Sequence, residues 1–555
     1  MRGFSLRCVI RLFAVVGLAA SALRANNDPA LLASRVIILA NSAEPESVAL
    51  ADYYAKARSI PEANIIALHM DKAENVHWAP FIKEIYQPLQ DELVKRGWIE
   101  GISSDLTDDV GRRRYAISGH HISYLVVCRG VPLRVWPEDH LYKPNPPITD
   151  NPQFRTTQGA VDSELSLLAR PQYPISGFVM NPLYGVSHPT EFQEAAVVKV
   201  SRLDGPSFES ARGLVDHAIE GEKFGLIGRA YVDIGGIDRL GDQWFDLTAK
   251  ELERANFDLT VDRLPTTFPK TARFDAPALY FGWYAWDING PFTEPGFKFP
   301  PGAVALHLHS FSASTMQGAN HSWVAPFVAR GVTATVGNVF EPYLNLTHSP
   351  PILARALLRG DNWGDAVYAA VPALSWEAIA FGDPLYRPFA ISFDQQWKDR
   401  DKLPDSLYPY VVLRALQRLE SQKATEQARL LAADVMRLRP SAPVALAEAK
   451  LQSRAGHHEE ACQAAAWVTK IPEFSAMELP WAIEAAQDLV DNGQAKAATE
   501  FLSKHIEDVA LPVEFRIDFL SHGVAAAKAA HQEELATKWE SELEAAKEAE
   551  KEKKK

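Results

Sequence analysis

The sequence predicts an α/β domain with a mainly parallel sheet and helices on both faces, followed by an all-α segment of helical-repeat type. Three observations predict this. Over residues 35–400, apolar runs rich in Val, Ile and aromatics alternate with amphipathic stretches, the pattern left by strands joined through crossover helices. From about Pro404 the chain turns Ala-rich and amphipathic to its end. Within that region two similar segments place their Gly turns at Gly456 and Gly493, an offset of 37 residues, close to the period of stacked helix hairpins.

Residues 1–25 combine Arg2, Arg7 and Arg11 with a short apolar run and small residues, the parts of a secretory signal peptide. Cleavage is expected after Ala22 or Ala25. RVIILANS then reads as a buried strand, PESVALADYYAKARSI as a helix and IPEANIIALH as the next strand. SYLVVCRGVPLRV, FGLIGRAYVDI, ALYFGWYAW, AVALHLHS and VTATVGNVF are further strands, each bounded by turn residues. Residues 140–200 are rich in Pro and Asn with weak periodicity and read as a loop-rich insertion. The α/β domain thus spans 26–400, the helical-repeat-like domain 404–547, and a charged tail 548–555.

The chain has 555 residues, 47% hydrophobic and 23% charged, an ordinary globular composition. Its formal charge is −13, and the four arginines of the leader leave the rest near −17. Such an acidic chain is a poor match for nucleic acid. No apolar run after the leader is long enough to span a bilayer. Of three cysteines, Cys8 lies in the leader, and Cys128 and Cys462 fall in different predicted domains, so no disulfide framework is expected. No Cys-x-x-Cys pair and no cofactor motif is present. No cofactor is expected.

Ligands in a parallel α/β sheet sit at the carboxyl ends of the strands. Here those ends are Asn41, Arg129, Trp283, His309 and Asn338. The stretch 303–315, AVALHLHSFSAST, is the most chemical of them. In a strand His307 and His309 share one side. His-x-His can hold zinc with a third ligand, for which His321, His348, Asp287 and Glu341 are near in sequence. No complete ligand set is evident, so His307 and His309 are metal candidates only, and imidazoles bonded to main-chain groups are the favoured alternative. Ser310, Ser312 and Ser314 follow at once. A hydroxyl nucleophile needs a base within reach, and no Gly-x-Ser-x-Gly elbow is present. A Ser-rich turn that caps the next helix is the simpler expectation. The catalytic candidates are His309, Ser310 and Ser312; the pocket candidates are Arg129, Asp162, Glu164, Trp283, His307, Asn338 and Glu341. Asp162 and Glu164 could act as an acid–base pair, but capping a helix that starts at Ser163 is expected. Arg202 and Asp204 are expected to form a loop ion pair.

Residues 278–389 resemble the C-terminal half of the caspase-like peptidase fold, gingipain type, in the order ALYFGWYAW, AVALHLHSFSAST, ARGVTATVGNVFEPY and AIAFGDPLYRPF with Gly382-Asp383-Pro384. Where that family carries its catalytic His-Gly, this chain has Trp283-Tyr284; where it carries Cys, Ser310 or Ser312 stands. No Cys lies between 129 and 461, so cysteine peptidase activity is not implied. Residues 35–390 are more closely similar to an uncharacterised exported bacterial family found in exosortase-carrying species, through pieces such as VALADYYAKARSIPEANI, YLVVCRGVPLRV, VDSELSLL, RLDGPS, YFGWYAW and FGDPLYRPF. That resemblance implies export to the periplasm or beyond, and no activity. The tail loosely resembles tetratricopeptide repeats, which implies a protein partner, although a helical cap on the first domain is an equal alternative. The expectation is therefore a non-catalytic binding or scaffold module, with a hydrolase rebuilt on a serine or metal site at 307–314 as the alternative.

Overall fold

The computed structural model describes residues 28–508 and 510–553. Residues 1–25, expected to be a signal peptide, and the last two residues of the charged tail lie outside them. Ten strands make up the mainly parallel sheet: β1 (Val36–Asn41), β2 (Ile65–Leu68), β3 (Tyr124–Cys128), β4 (Val200–Leu203), β5 (Arg229–Asp233), β6 (Leu259–Asp262), β7 (Pro277–Gly282), β8 (Val304–His307), β9 (Ala334–Asn338) and β10 (Ala378–Gly382). The chain divides into two compact units, one of residues up to Glu220 with His309–Phe389, the other of Gly221–Leu308 with everything from Ala390.

In the first unit the order is β2-β1-β3-β4-β10-β9. All run parallel except β9, which pairs antiparallel with β10. Strands β1, β3, β4, β9 and β10 are buried at every position, as strands covered on both faces must be. That is why β1 (VIILAN) and β3 (YLVVC) read as near-continuous apolar runs. Because β9 is reversed, Asn338 pairs with Ala378 at the start of β10, at the opposite edge from the carboxyl ends of β1, β3, β4 and β10, yet it lies beside His309, whose carbonyl accepts from its Nδ2. Gly382 has φ 128°, and a side chain there would press on the Thr333 carbonyl at 2.9 Å. The following Asp383 is fully buried and accepts hydrogen bonds from Tyr54 (2.7 Å) and Arg58. The Gly-Asp-Pro stretch is thus an anchor between the end of β10 and the helix Pro45–Ala57.

In the second unit the order is β6-β5-β7-β8, all parallel. The helix Arg239–Arg254 packs on β5, β6 and β7. Among the described residues the tail has eight helices between Tyr408 and Lys553, with turns at Gly456 (φ 80°) and Gly493 (φ 86°). Gly suits these left-handed turn positions because it has no Cβ to clash.

The first tail helix, Tyr408–Ser421, buries Tyr408, Tyr410, Val411 and Leu413 with Ile227, Phe224 and Ala276 of the α/β part of the same unit. Tyr410 donates to Asp275 (2.9 Å), and Arg273 bridges Asp275 (2.8 Å) and Glu484 (3.0 Å). A tail segment cut free at residue 404 would expose this apolar face, at about 25 cal/mol per Å². Circular dichroism and limited proteolysis of residues 404–553 are therefore expected to show the Tyr408–Ser421 helix lost and the later hairpins retained. A fragment with every helix protected would contradict this. Among the described residues no helix is long and apolar enough to cross a membrane.

Candidate functional site

At the carboxyl edge of the second unit, four positions stand in register: Asp262, Asp233, Gly282 and His307. In-register residues on parallel strands face the same side. Gly282 leaves its place in this row to the Tyr280 hydroxyl; a Cβ there would lie 2.2 Å from that oxygen. Tyr280 Oη lies 2.9 Å from His307 Nδ1 and 3.4 Å from Asp233 Oδ2. The Ala285 N–H donates to His307 Nε2 at 3.0 Å. Nε2 is therefore the unprotonated nitrogen, and a neutral ring carries its proton on Nδ1, toward Tyr280. Burial, reinforced by the charge of Asp262, pushes Asp233 up to about 8, so its carboxyl is neutral at pH 7. The row can pass a proton between Asp233 and His307, but it offers no nucleophile.

Trp283 follows β7 and is core. It stacks on Phe245 (5.8 Å between rings), its Nε1 donates to Asp242 (2.9 Å), and Gly236 and Gly241 give it room. It is buried, 3% exposed. Trp286 is the exposed aromatic of this stretch.

The strand β8 stops at His307, so strand alternation does not extend to His309, and the expectation that both imidazoles share a strand face is corrected. His309 belongs to the first unit. Its Nδ1 is 2.5 Å from the Ser310 carbonyl, and its own carbonyl accepts from Asn338 Nδ2 (3.1 Å). Ser310 Oγ donates to Glu341 Oε2 at 2.5 Å. Ser312 is 1% exposed, and its Oγ accepts the Asn338 N–H (3.0 Å). Neither serine hydroxyl bonds an imidazole. The helix Val324–Ala329 starts on the Ser312 carbonyl, which accepts from Trp323 and Val324; the expected hydroxyl cap is not made.

Glu377, directly before β10, completes this cluster. It is fully buried, its Oε1 accepts from Gln158 Nε2 (2.6 Å), and its Oε2 has no partner. Burial, with Glu341 as a nearby like charge, pushes it up to about 8. Four non-glycine residues around the cluster, Phe311, Ser322, Tyr343 and Ser375, have φ of 60°, 64°, 61° and 48°. Side chains rarely take this left-handed conformation, and surrounding structure must hold it in place.

The other candidates are structural. The helix is Val161–Leu165 with Ala160 at its N-cap, so Asp162 and Glu164 do not cap it. Asp162 instead pairs with Arg202 (2.6 Å), which is fully buried and also donates to the Val131 and Pro132 carbonyls (2.8 Å each). Arg202 lies on β4 rather than in a loop, and its contact with Asp204 (3.3 Å) is the weaker of the two. Burial pushes Asp204 up to about 6. Glu164 accepts from Ser375 (2.5 Å) and Tyr173 (2.9 Å), so the two carboxylates serve different partners and do not form an acid–base pair. Arg129 sits 3.4 Å from Glu46. Among the described residues no three His, Cys, Asp or Glu side chains gather as a metal set.

Sequence reasoning missed Asp233, Tyr280, Gln158 and Glu377. A signal existed for two of them: a lone acid ends the apolar run GRAYVD, and another stands inside SWEAIAFG. No family model matches the chain, and no curated protein or solved structure matches it.

Proposed function

We propose that the protein is an exported binding module built on a caspase-like α/β scaffold, with no hydrolytic centre at residues 307–314. One observation carries this reading: the hydroxyl and imidazole groups of the strand end are buried and committed to other partners. His307 accepts a main-chain N–H, His309 bonds a main-chain carbonyl, and Ser312 bonds Asn338. A serine nucleophile needs a base and an approach path, whereas Ser310 is only 8% exposed. Support for the caspase-like scaffold is the mainly parallel sheet with the Gly382-Asp383-Pro384 stretch closing β10; support for export is the basic, apolar and small-residue pattern of residues 1–25. The helical tail supports a protein partner, since Leu430 (52%) and Leu438 (72%) stand exposed on the helix Thr425–Leu438.

A second reading has one contact in its favour. Ser310 Oγ donates to Glu341 at 2.5 Å, a nucleophile–base arrangement with a carboxylate in place of histidine. The two separate in one assay: purified protein against chromogenic peptide, ester and glycoside substrates, beside Ser310→Ala and Glu341→Gln. The binding module is expected to show no turnover that either substitution removes. Turnover abolished by both substitutions would establish the serine–carboxylate hydrolase.

A further inference from the structure

We propose that Glu341, Glu377 and Ser310 form a binding site for a hard divalent cation, calcium above all. The inference is independent of what the module binds through its tail. It starts from an unmet group. Glu377 is fully buried, Gln158 occupies one carboxyl oxygen, and the other, Oε2, is buried without a partner. Buried polar atoms left unpaired cost on the order of 1–3 kcal/mol and call for an explanation.

The setting is a second carboxylate. Glu341 acts on Glu377 as a like charge, and the main chain brings the two together: the Val339 N–H donates to the Glu377 carbonyl (2.9 Å) and Trp376 Nε1 to the Pro342 carbonyl (2.9 Å). Glu341 is already held for the role, one oxygen by Ser310 Oγ (2.5 Å) and the other by the Tyr343 N–H (3.3 Å). Two neighbouring carboxylates, one deeply buried, repel when both are ionised. A bound cation removes that repulsion and gives Oε2 its partner.

The donors are all oxygens: the carboxylates of Glu341 and Glu377 and the hydroxyl of Ser310. An oxygen-only set without imidazole or thiolate selects hard cations over zinc or copper. A fourth or later ligand falls to main-chain carbonyls or water, which calcium accepts readily and magnesium less so.

The test is isothermal titration of the full chain with CaCl2 and, separately, MgCl2, on wild type, Glu377→Gln and Glu341→Gln, with melting temperatures in millimolar CaCl2 against EDTA. The expected result is calcium binding by the wild type, a melting temperature several degrees higher than in EDTA, and affinity at least about tenfold weaker in each variant. Should Glu377→Gln fail to fold, Glu341→Gln decides, because Glu341 is partly exposed. No heat of binding in the wild type would overturn the proposal and assign the orphan oxygen to a buried water. Equal affinity in the wild type and Glu341→Gln would also overturn it, by placing the cation elsewhere.

Discussion

Asp233→Asn is expected to stabilise the protein increasingly as pH rises from 5 to 8. Burial and the neighbouring Asp262 hold the Asp233 carboxyl up to about 8 in the folded state, while in the unfolded chain it titrates near 4. The folded state therefore holds a proton that the unfolded state has lost. The sign follows from linkage: stability is fully present below the unfolded value and falls as pH rises through the folded one, by about 1.4 kcal/mol per pH unit between them. Asn stays neutral and removes this one slope. The gap between variant and wild type should widen by on the order of 4 kcal/mol from pH 5 to pH 8. The groups facing Asp233 are the Asp262 carboxylate, the Tyr280 hydroxyl and the Phe268 N–H. Asp204, Glu377 and Asp488 are also raised and give slopes of the same sign, which both proteins share. Urea denaturation at several pH values measures the gap. A constant gap would mean that Asp233 ionises normally, and the neutral Asp–Tyr–His row would lose its basis.

Arg202→Met is expected to destabilise the protein by about 3–5 kcal/mol at pH 7. The guanidinium is fully buried and serves Asp162, Asp204 and the carbonyls of Val131 and Pro132. Met keeps most of the volume but leaves Asp162 without its counter-charge and Asp204 with Arg129 as its remaining cation. Both can escape by taking up protons, and Asp204 already sits at about 6. The loss should therefore shrink toward pH 5. Urea midpoints at the two pH values test this, and a pH-independent loss would assign the effect to packing instead of charge.

The strands were legible wherever burial on both faces leaves an unbroken β-branched run, as in RVIILAN and YLVVC. Strand direction was not. A fully buried strand has the same composition either way, so the reversal of β9, and with it the place of Asn338, needed the sheet itself. The helical tail was readable from its Gly-turn period, but the packing of Tyr408 and Val411 on Ile227 was not, because a helix face does not name what covers it. At the strand end, the bonding of the imidazoles to main-chain groups was legible, and the partners of the serines and carboxylates were not. Ser310 meets a carboxylate 31 positions away, Asp162 meets Arg202 40 positions away, and Glu377 meets Gln158 at a separation of 219. Short spacings suggested caps, which tertiary contacts overrode, and a local Arg202–Asp204 ion pair, which forms at 3.3 Å beside the shorter contact with Asp162.

On the proposed reading, the 307–314 strand end holds no working nucleophile. Intact-mass and peptide-mapping spectrometry of the folded protein after treatment with a fluorophosphonate, from pH 4 to pH 8, is expected to find no adduct on Ser310 or Ser312 at any pH until the protein is denatured. A stoichiometric adduct on Ser310 of the native protein, abolished by Glu341→Gln, would contradict it.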